Sequence, residues 1–162
     1  MKKIKLTQGK YALVDDEDFE RLNHYKWFAQ RSGNTFYAVR NITTGKGKQK
    51  TISMHRVILS LGFGDPQKVD HKNHYGLDNR RDNLRICTHR QNMQNMNPHK
   101  NGSSAYKGVW WSKEKQKWLA AIRVNGKLKH LGIFVSEREA AKAYDKAAVE
   151  LFGNYAQVNK VA

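Results

Sequence analysis

The sequence predicts an α+β fold in which small antiparallel sheets combine with short helices, and three observations support this. Residues 1–61 hold several short β-prone segments separated by glycine-containing turns. Residues 66–97 have two strand-like pieces followed by a short polar helical run. Residues 106–159 have three β-prone segments and then an alanine-rich helical pattern. A chain of 162 residues can hold these modules as one medium-sized domain or two small ones.

The elements of the first module are predicted from local signals. Strands are expected over 3–6, 11–14, 26–30, 35–40 and 50–53. Acidic side chains lie at the start of residues 16–22, where the partial positive charge of a helix N-terminus favours them. This segment is therefore predicted to be helical, and a second short helix over 54–61 should end at Gly62.

The middle module is predicted to contain strands over 68–71 and 84–88, joined by a polar stretch rich in Asn, Asp and Gly. A short helix is expected over 89–97 and should stop at Pro98, because proline cannot continue a helix. Residues 98–105 have the composition of a linker, so we place the domain boundary there.

The C-terminal module gives the clearest local signals. Strands are predicted over 106–112, 118–124 and 127–134, and Asn125-Gly126 is typical of a tight hairpin turn. Ser136 and Glu139 form a capping-box pattern that should open a helix ending near Leu151. Helical spacing places one apolar stripe on this helix, made of Ala140, Ala141, Tyr144, Ala147, Ala148 and Leu151. The module should be a three-stranded antiparallel sheet packed on one helix.

The charge of the chain points to a polyanionic partner. Thirty lysine and arginine residues against fourteen acidic residues give a net charge of +16, spread along the whole sequence. Nucleic acid is the first interpretation of such an excess, and a generally basic, soluble surface is the alternative.

Cysteine content and hydropathy exclude other classes of protein. Cys87 is the single cysteine, which excludes an internal disulfide and a cysteine-based zinc site. No apolar run approaches the ~20 residues needed to cross a bilayer, and no secretory signal is recognised. We expect a protein of a reducing, intracellular compartment with no membrane partner.

The middle module holds side chains suited to phosphodiester hydrolysis. Asp70 and Asn92 carry oxygen ligands of the kind Mg²⁺ prefers, and a neutral imidazole at His71 is a suitable base for activating water. The alternative is structural, because Asp and Asn are common in turns and His71 could simply be exposed at the surface.

A longer pattern around these residues resembles the HNH homing endonucleases of phages and introns. The match covers about residues 50–97, including the helix-like segment 54–59, and its core reads Val69-Asp70-His71-Lys72-Asn73-His74-Tyr75-Gly76-Leu77-Asp78-Asn79-Arg80-Arg81-Asp82-Asn83-Leu84-Arg85, followed by Thr88 and Asn92. The resemblance implies a ββα-metal module in which Asp70 and Asn92 ligate one Mg²⁺ or Mn²⁺ ion, His71 is the general base and Asn83 orients the loop and the His71 backbone. His89 is a weaker candidate ligand. The cysteine pairs that bind structural zinc in many such proteins are missing, so no structural zinc is expected. His55 could contact phosphate, but packing beneath the site is the favoured interpretation.

The strands of the C-terminal module could present side chains to the major groove of DNA. Alternation along the middle strand places Trp118, Ala120, Ile122 and Val124 toward the helix, and leaves Leu119, Ala121 and Arg123 free for a partner. Lys129 adds charge to this sheet. One of Trp110 and Trp111 is expected in the core and the other at the DNA, and the sequence leaves open which.

Residues 106–159 also resemble the APETALA-two/ERF DNA-binding domain. The matching residues include Tyr106-Lys107-Gly108-Val109, Lys117-Trp118, Leu131-Gly132-Ile133-Phe134, Glu139-Ala140-Ala141, Ala143-Tyr144-Asp145 and Asn159. The resemblance implies DNA-facing side chains at Lys107, Trp110, Ser112, Arg123 and His130. Trp110 and Ser112 stand where the plant domains have arginine, and His130 stands where they often have tryptophan, so the plant target sequence is not carried over.

Together these features predict a site-specific, metal-dependent endonuclease of duplex DNA. Residues 1–50 would support the nuclease, 51–97 form it, 98–105 link it and 106–159 bind DNA. We expect a monomer in the cytoplasm of a bacterial or phage-infected cell. The alternatives are a non-catalytic DNA-binding regulator and, less favoured, an RNA-binding protein, because the A-form major groove is too narrow for a sheet.

Overall fold

The structure, a computed structural model, describes residues 1–97, 102–159 and 161. It divides into two compact units, Met1–His89 and Arg90–Ala162. Mixed α and β structure with several small antiparallel sheets confirms the predicted α+β class. Residues 98–101 of the predicted linker lie outside the described residues, and the domain boundary there stays a prediction. Within the described ranges, no helix is long and apolar enough to span a bilayer.

The first unit contains three antiparallel sheets and two helices. β1 pairs with β2, β4 lies between β3 and β5, and β6 pairs with β7. The elements are β1 Lys2–Lys5, β2 Tyr11–Val14, α1 Asp16–Asn23, β3 Phe28–Ser32, β4 Thr35–Thr44, β5 Lys48–Ser53, α2 Met54–Ile58, β6 Lys68–His71 and β7 Leu84–Cys87, with 3₁₀ turns at Gly45–Gly47 and Arg81–Asn83.

One apolar core joins these elements. Leu22 from α1, Val14 from β2 and Met54 and Ile58 from α2 are fully buried in it, and Leu84 from β7 also contributes. The strands that carry the candidate site therefore rest on residues from the N-terminal part of the chain.

The acidic residues of α1 do more than favour a helix N-terminus. Asp18 is buried, and its oxygens accept hydrogen bonds from Arg21 at 2.6 Å and from Arg81 at 2.8 and 2.9 Å. Burial raises the pKa of Asp18, but the hydrogen bonds and charges of Arg81 and Arg21 together bring it below its usual value. This ion cluster ties α1 to the turn that precedes β7.

The second unit contains the three-stranded sheet and its helix. The sheet has the order β10-β9-β8 and is antiparallel throughout. The short helix α3 begins at the boundary between the units. The elements are α3 His89–Gln94, β8 Val109–Ser112, β9 Lys117–Val124, β10 Lys127–Phe134 and α4 Glu137–Phe152, followed by a 3₁₀ turn at Gly153–Tyr155.

The apolar stripe of α4 packs on β8 and β9 as predicted, with one exception. Ala140 and Ala141 meet Val109 and Ala120, and Tyr144 meets Ile122. The capping box of Ser136 and Glu139 forms at the start of the helix. Leu151, which was predicted to belong to the stripe, is instead exposed, because Phe152, four residues after Ala148, continues the packed face in its place.

Most element boundaries differ from the predicted ones by a few residues. Strand β4 continues to Thr44, whereas α2 ends at Ile58 and the first strand of the C-terminal sheet begins only at Val109. The predicted order of strand, strand and helix in the middle module is present as β6, β7 and α3. A ββα-metal arrangement of these three elements stays a prediction.

Candidate active site

The candidate site is centred on the end of β6, where Asp70 and His71 are both buried. The register places Asp70 opposite Arg85 and His71 opposite Leu84 on β7. Each of the two side chains is only 6% exposed. The alternative that His71 is a surface residue is therefore wrong.

A charged partner orients the carboxylate of Asp70. Nε and Nη2 of Arg85 both donate to Oδ2 of Asp70, at 2.8 and 2.5 Å. Both side chains are largely buried, so this cross-strand ion pair holds the carboxylate where solvent does not compete.

Two aromatic rings surround His71. The ring of His55 from α2 meets it edge-on with centroids 5.1 Å apart, and the ring of Tyr37 from β4 lies 5.6 Å from both imidazoles. Such edge contacts are favourable between π systems and restrict how each ring can rotate. His55 thus packs against the site, in agreement with the interpretation favoured from the sequence.

Burial keeps this ring cluster uncharged. It lowers the pKa of His71, and a hydrogen bond with Asn79 and the charges of Asp70 and Asp78 raise it by less. Burial, with smaller effects from His71 and Arg56, lowers the pKa of His55 to about 3. Burial and the charge of Asp70 raise the pKa of Tyr37. His71 therefore has the neutral imidazole that a general base needs.

Asn83 closes the loop between β6 and β7. Its Oδ1 accepts a hydrogen bond from the backbone N–H of Asn73 at 3.0 Å, and its Nδ2 donates to the carbonyl of Asp78 at 2.8 Å. The backbone N–H of Lys72 also donates to the carbonyl of Asn83 at 2.9 Å. Asn83 thus holds the loop that follows His71, and its catalytic importance stays a prediction.

The N-terminal strands shape this loop from the other side. Leu13 of β2 exchanges backbone hydrogen bonds of 2.8 Å with Leu77 and Asn79. At Gly76 an added Cβ would lie 2.6 Å from the carbonyl oxygen of Phe36 and 2.7 Å from the ring of Tyr37. Only glycine lets the loop approach this closely.

The described residues include oxygen donors of the type that a hard divalent cation prefers. Asp70 supplies a carboxylate and Asn92, half-buried on α3, supplies an amide. No group of three or more His, Cys, Asp or Glu side chains within the described part of the chain is placed to hold a metal. Mg²⁺ fits such a sparse set, since it keeps several of its waters. Asp70 and Asn92 belong to different units, and their shared ligation of a metal stays a prediction. His89 is exposed at the start of α3.

The second unit places the predicted DNA-facing side chains on different surfaces. The register and the burial of Ile122 against α4 put Trp110, Ser112, Arg123 and His130 on the face of the sheet that points away from α4. Lys129 pairs with Ile122 and therefore projects from the helix side. Trp111 meets Trp118 edge-on at 5.1 Å on the helix side, whereas Trp110 projects from the opposite face. Contact of Trp110 with DNA stays a prediction.

The side chain of Lys107 makes its hydrogen bonds inside the protein. Its ammonium group donates to the carbonyl oxygens of Gln94 and Met96, both at 2.6 Å, and burial lowers its pKa to about 8. Lys107 thus caps the end of α3, and its contact with DNA stays a prediction.

Comparisons with known proteins agree with this site. Residues 53–94 match the family model described as HNH endonuclease. Over 158 residues the chain is 32% identical to an uncharacterised HNH endonuclease of Acanthamoeba polyphaga mimivirus, and the match covers 95% of this chain and 77% of that protein. The chain belongs to the HNH endonuclease family. Membership implies a nuclease with a DNA substrate, and HNH nucleases generally use a divalent metal ion.

Two other proteins are similar to shorter parts of this HNH endonuclease. Protein 3.8 of Escherichia phage T7 is 36% identical over 59 residues, which cover 36% of this chain and 49% of that protein. An ethylene-responsive transcription factor-like protein of Arabidopsis thaliana is 50% identical over 42 residues, or 26% of this chain and 18% of that protein. The second similarity hints at an APETALA-two domain. No solved structure matches significantly.

Sequence reasoning missed Tyr37 as a member of the site in this HNH endonuclease. Tyr37 lies outside the residues 53–94 that match the family model, on a strand that looked purely structural. Side chains alternate along β4, so Tyr37 projects from the face of the sheet opposite to that of the buried Ala38. No local signal revealed that this side meets His71.

Proposed function

We propose that this HNH endonuclease hydrolyses phosphodiester bonds in duplex DNA, with His71 as the general base. The observation that carries the proposal is the buried Asp70–His71 pair, in which a neutral imidazole lies beside a carboxylate oriented by Arg85. Metal-assisted hydrolysis requires a base and oxygen ligands for the metal, and this pair supplies one of each.

The residues of this chain have separate tasks in the proposed reaction. The His71 imidazole takes a proton from the water that attacks phosphorus, and the bond from phosphorus to the leaving oxygen breaks. Tyr37 and His55 hold the His71 ring, and Asn83 holds the loop that follows it. Asp70 and Asn92 would hold one Mg²⁺ or Mn²⁺ ion, which when bound stabilises negative charge on the phosphate and the leaving oxygen.

The second unit would provide site-specific binding, as in a homing enzyme. Its sheet presents Trp110, Ser112, Arg123 and His130 on one face, and the net charge of +16 favours a polyanion. Residues 1–50 would support the nuclease and extend the contact with DNA. We propose that the protein acts as a monomer inside a bacterial or phage-infected cell.

Cleavage of a supercoiled plasmid that carries host genomic fragments tests this function. We expect nicked or linear product with Mg²⁺ and with Mn²⁺ and none with EDTA, because the reaction needs a divalent ion. DNA binding in EDTA, measured in parallel, should persist because the sheet and the charge do not depend on metal. Salt-sensitive binding without cleavage in any metal would instead identify a non-catalytic regulator.

Replacing Tyr37 tests whether its ring positions His71. Tyr37→Leu is expected to lower the single-turnover cleavage rate by about 10²-fold at saturating DNA, because a small misplacement of a catalytic group has an effect of this order. Tyr37→Phe keeps the ring contacts with His55 and His71 and should stay close to the unmodified protein. DNA affinity in EDTA should be the same for both variants. A loss in Tyr37→Phe as large as in Tyr37→Leu would contradict a role of the ring and assign the effect to the hydroxyl group.

A further inference from the structure

The sheet face that points away from α4 carries an apolar band across all three strands. Trp110 on β8 pairs with Leu119 on β9, and Leu119 pairs with Ile133 on β10. Cross-strand partners project to the same side of a sheet, so these three side chains form a continuous row. We call this row the apolar band.

The apolar band is partly open to solvent, because Trp110 and Leu119 are half-buried and Ile133 is exposed. Ile133 is 49% exposed, and so is Leu128, which pairs with Arg123 on the same face. Beside the band lies Ala121, buried although it faces outward, and the rings of Trp110 and His130 are 6.3 Å apart. Exposed apolar side chains aligned in this way are typical of a binding surface.

The distribution of charge identifies the partner of this face as DNA. On this face the register places the basic residues Lys117 and Arg123 and no acidic side chain, whereas Lys127 and Lys129 project from the helix side. The turn between β8 and β9 adds Lys113 and Lys115 against Glu114. Helix α4 on the other side has more acidic than basic residues, with Glu137, Glu139, Asp145 and Glu150 against Arg138, Lys142 and Lys146. A polyanion is therefore favoured at the outward face, whose strands carry basic side chains and no acidic ones.

The chemistry of the apolar band selects among the bases. In the major groove, guanine offers two acceptors that arginine reads, whereas the 5-methyl group of thymine is the apolar contact. Only one arginine, Arg123, lies on this face, and its Nη1 donates to the carbonyl of Gly126 at 3.0 Å. Lys117, which pairs with Ser112 on the same face, is the other cation able to read guanine. The apolar side chains of Trp110, Leu119, Leu128 and Ile133 outnumber these two cations, so the face has more to offer methyl groups than guanine.

We propose that the apolar band reads thymine methyl groups, so that the recognised site of this nuclease contains a short run of A·T pairs. This inference rests on the proposed function of the second unit as the DNA-binding part of the enzyme. It assigns base selection to Trp110, Leu119 and Ile133, the first of which stands where the plant domains have arginine.

Selection of bound duplexes from a random library in EDTA tests the inference first. We expect the enriched sequences to share consecutive A·T pairs. Each thymine of the enriched site is then replaced by deoxyuridine, which keeps the base pair and removes only the methyl group. At the positions that meet the band, binding should weaken about fourfold per methyl, the effect of one buried carbon.

A matched pair of variants assigns the effect to the band. In the Ile133→Ser variant, one thymine position should no longer matter: replacing that thymine by deoxyuridine should leave the affinity unchanged, because the apolar contact has been removed. Val135→Ser changes an apolar residue of similar size that is 79% exposed and lies just beyond β10, so it should keep the full preference for thymine. Both variants change exposed side chains, and circular dichroism confirms that they fold.

Three results would overturn the inference. The first is enrichment of sites rich in G·C pairs, and the second is equal binding of thymine and uracil duplexes by the unmodified protein. The third is a dimer that Ile133→Ser abolishes, which would mean that a second copy of the chain binds this face. Because binding is measured in EDTA, a failure of the proposed nuclease function is detected separately, as an absence of cleavage when Mg²⁺ or Mn²⁺ is present. Cleavage without preference for thymine would reject this inference alone.

Discussion

Replacing His71 by alanine is expected to lower the single-turnover rate of DNA cleavage by about 10²–10⁴-fold, the range in which a positioned general base contributes. The imidazole is buried between Tyr37 and His55, and burial keeps it neutral and able to accept a proton. The rate is measured with Mg²⁺ at saturating DNA, so that a change in affinity does not enter.

Two controls separate loss of the base from loss of the fold or of DNA binding. His24→Ala removes an exposed histidine at the end of α1 and should cleave like the unmodified protein. DNA affinity of His71→Ala in EDTA should be unchanged, because His71 is buried and contributes no charge. If His71→Ala and Asp70→Ala both retained cleavage, the site would have to be sought elsewhere.

Gly108→Ala is expected to lower the free energy of unfolding of the second unit by about 2–5 kcal/mol. Alanine is strained in the left-handed backbone conformation of this position, and its Cβ overpacks the neighbouring core. Gly108 has φ +74°, and an added Cβ would overlap the ring of the buried Tyr144 and lie 2.7 Å from the carbonyl oxygen of Ala121. Tyr144 lies in the core between α4 and β9 and cannot move without opening it. Urea unfolding followed by tryptophan fluorescence measures the effect, because all tryptophans except Trp27 lie in this unit.

Gly126→Ala is the matched control for this prediction. Gly126 has nearly the same φ, +80°, but nothing lies within 4 Å of an added Cβ. Gly126→Ala should therefore lower the free energy of unfolding only by the cost of a left-handed backbone, about 1–2 kcal/mol. Equal destabilisation by the two substitutions would mean that the contact with Tyr144 adds nothing. Loss of DNA binding should accompany unfolding in Gly108→Ala, since the sheet face depends on the same packing.

Local signals in the sequence predicted the secondary structure well. The turn at Asn125-Gly126 has positive φ at both residues, as its composition indicates, and the capping box at Ser136 opens α4. Strand β6 was predicted with the bounds Lys68–His71 that it has. These features depend on residues within a few positions of one another, so the sequence contains them directly.

Contacts between distant segments were not predictable in this way. Asp18 was assigned only to a helix terminus, yet it pairs with Arg81 across the first unit. The ammonium group of Lys107 caps α3, a contact that no local pattern around Lys107 signals. In both cases a long, flexible side chain reaches a partner whose position depends on how other elements pack.

The sequence by itself determined the class of the fold, the order of its elements, the basic character of the chain and the residue types of the candidate site. Asp70, His71 and Asn83 could be named because they stand in one short, continuous pattern. Only the tertiary structure decided that His71 is buried, that Arg85 orients Asp70 and that Tyr37 and His55 enclose the imidazole. The physical reason is that burial and ring contacts arise when strands and helices far apart in the chain pack on a common core, and no local pattern records which faces meet.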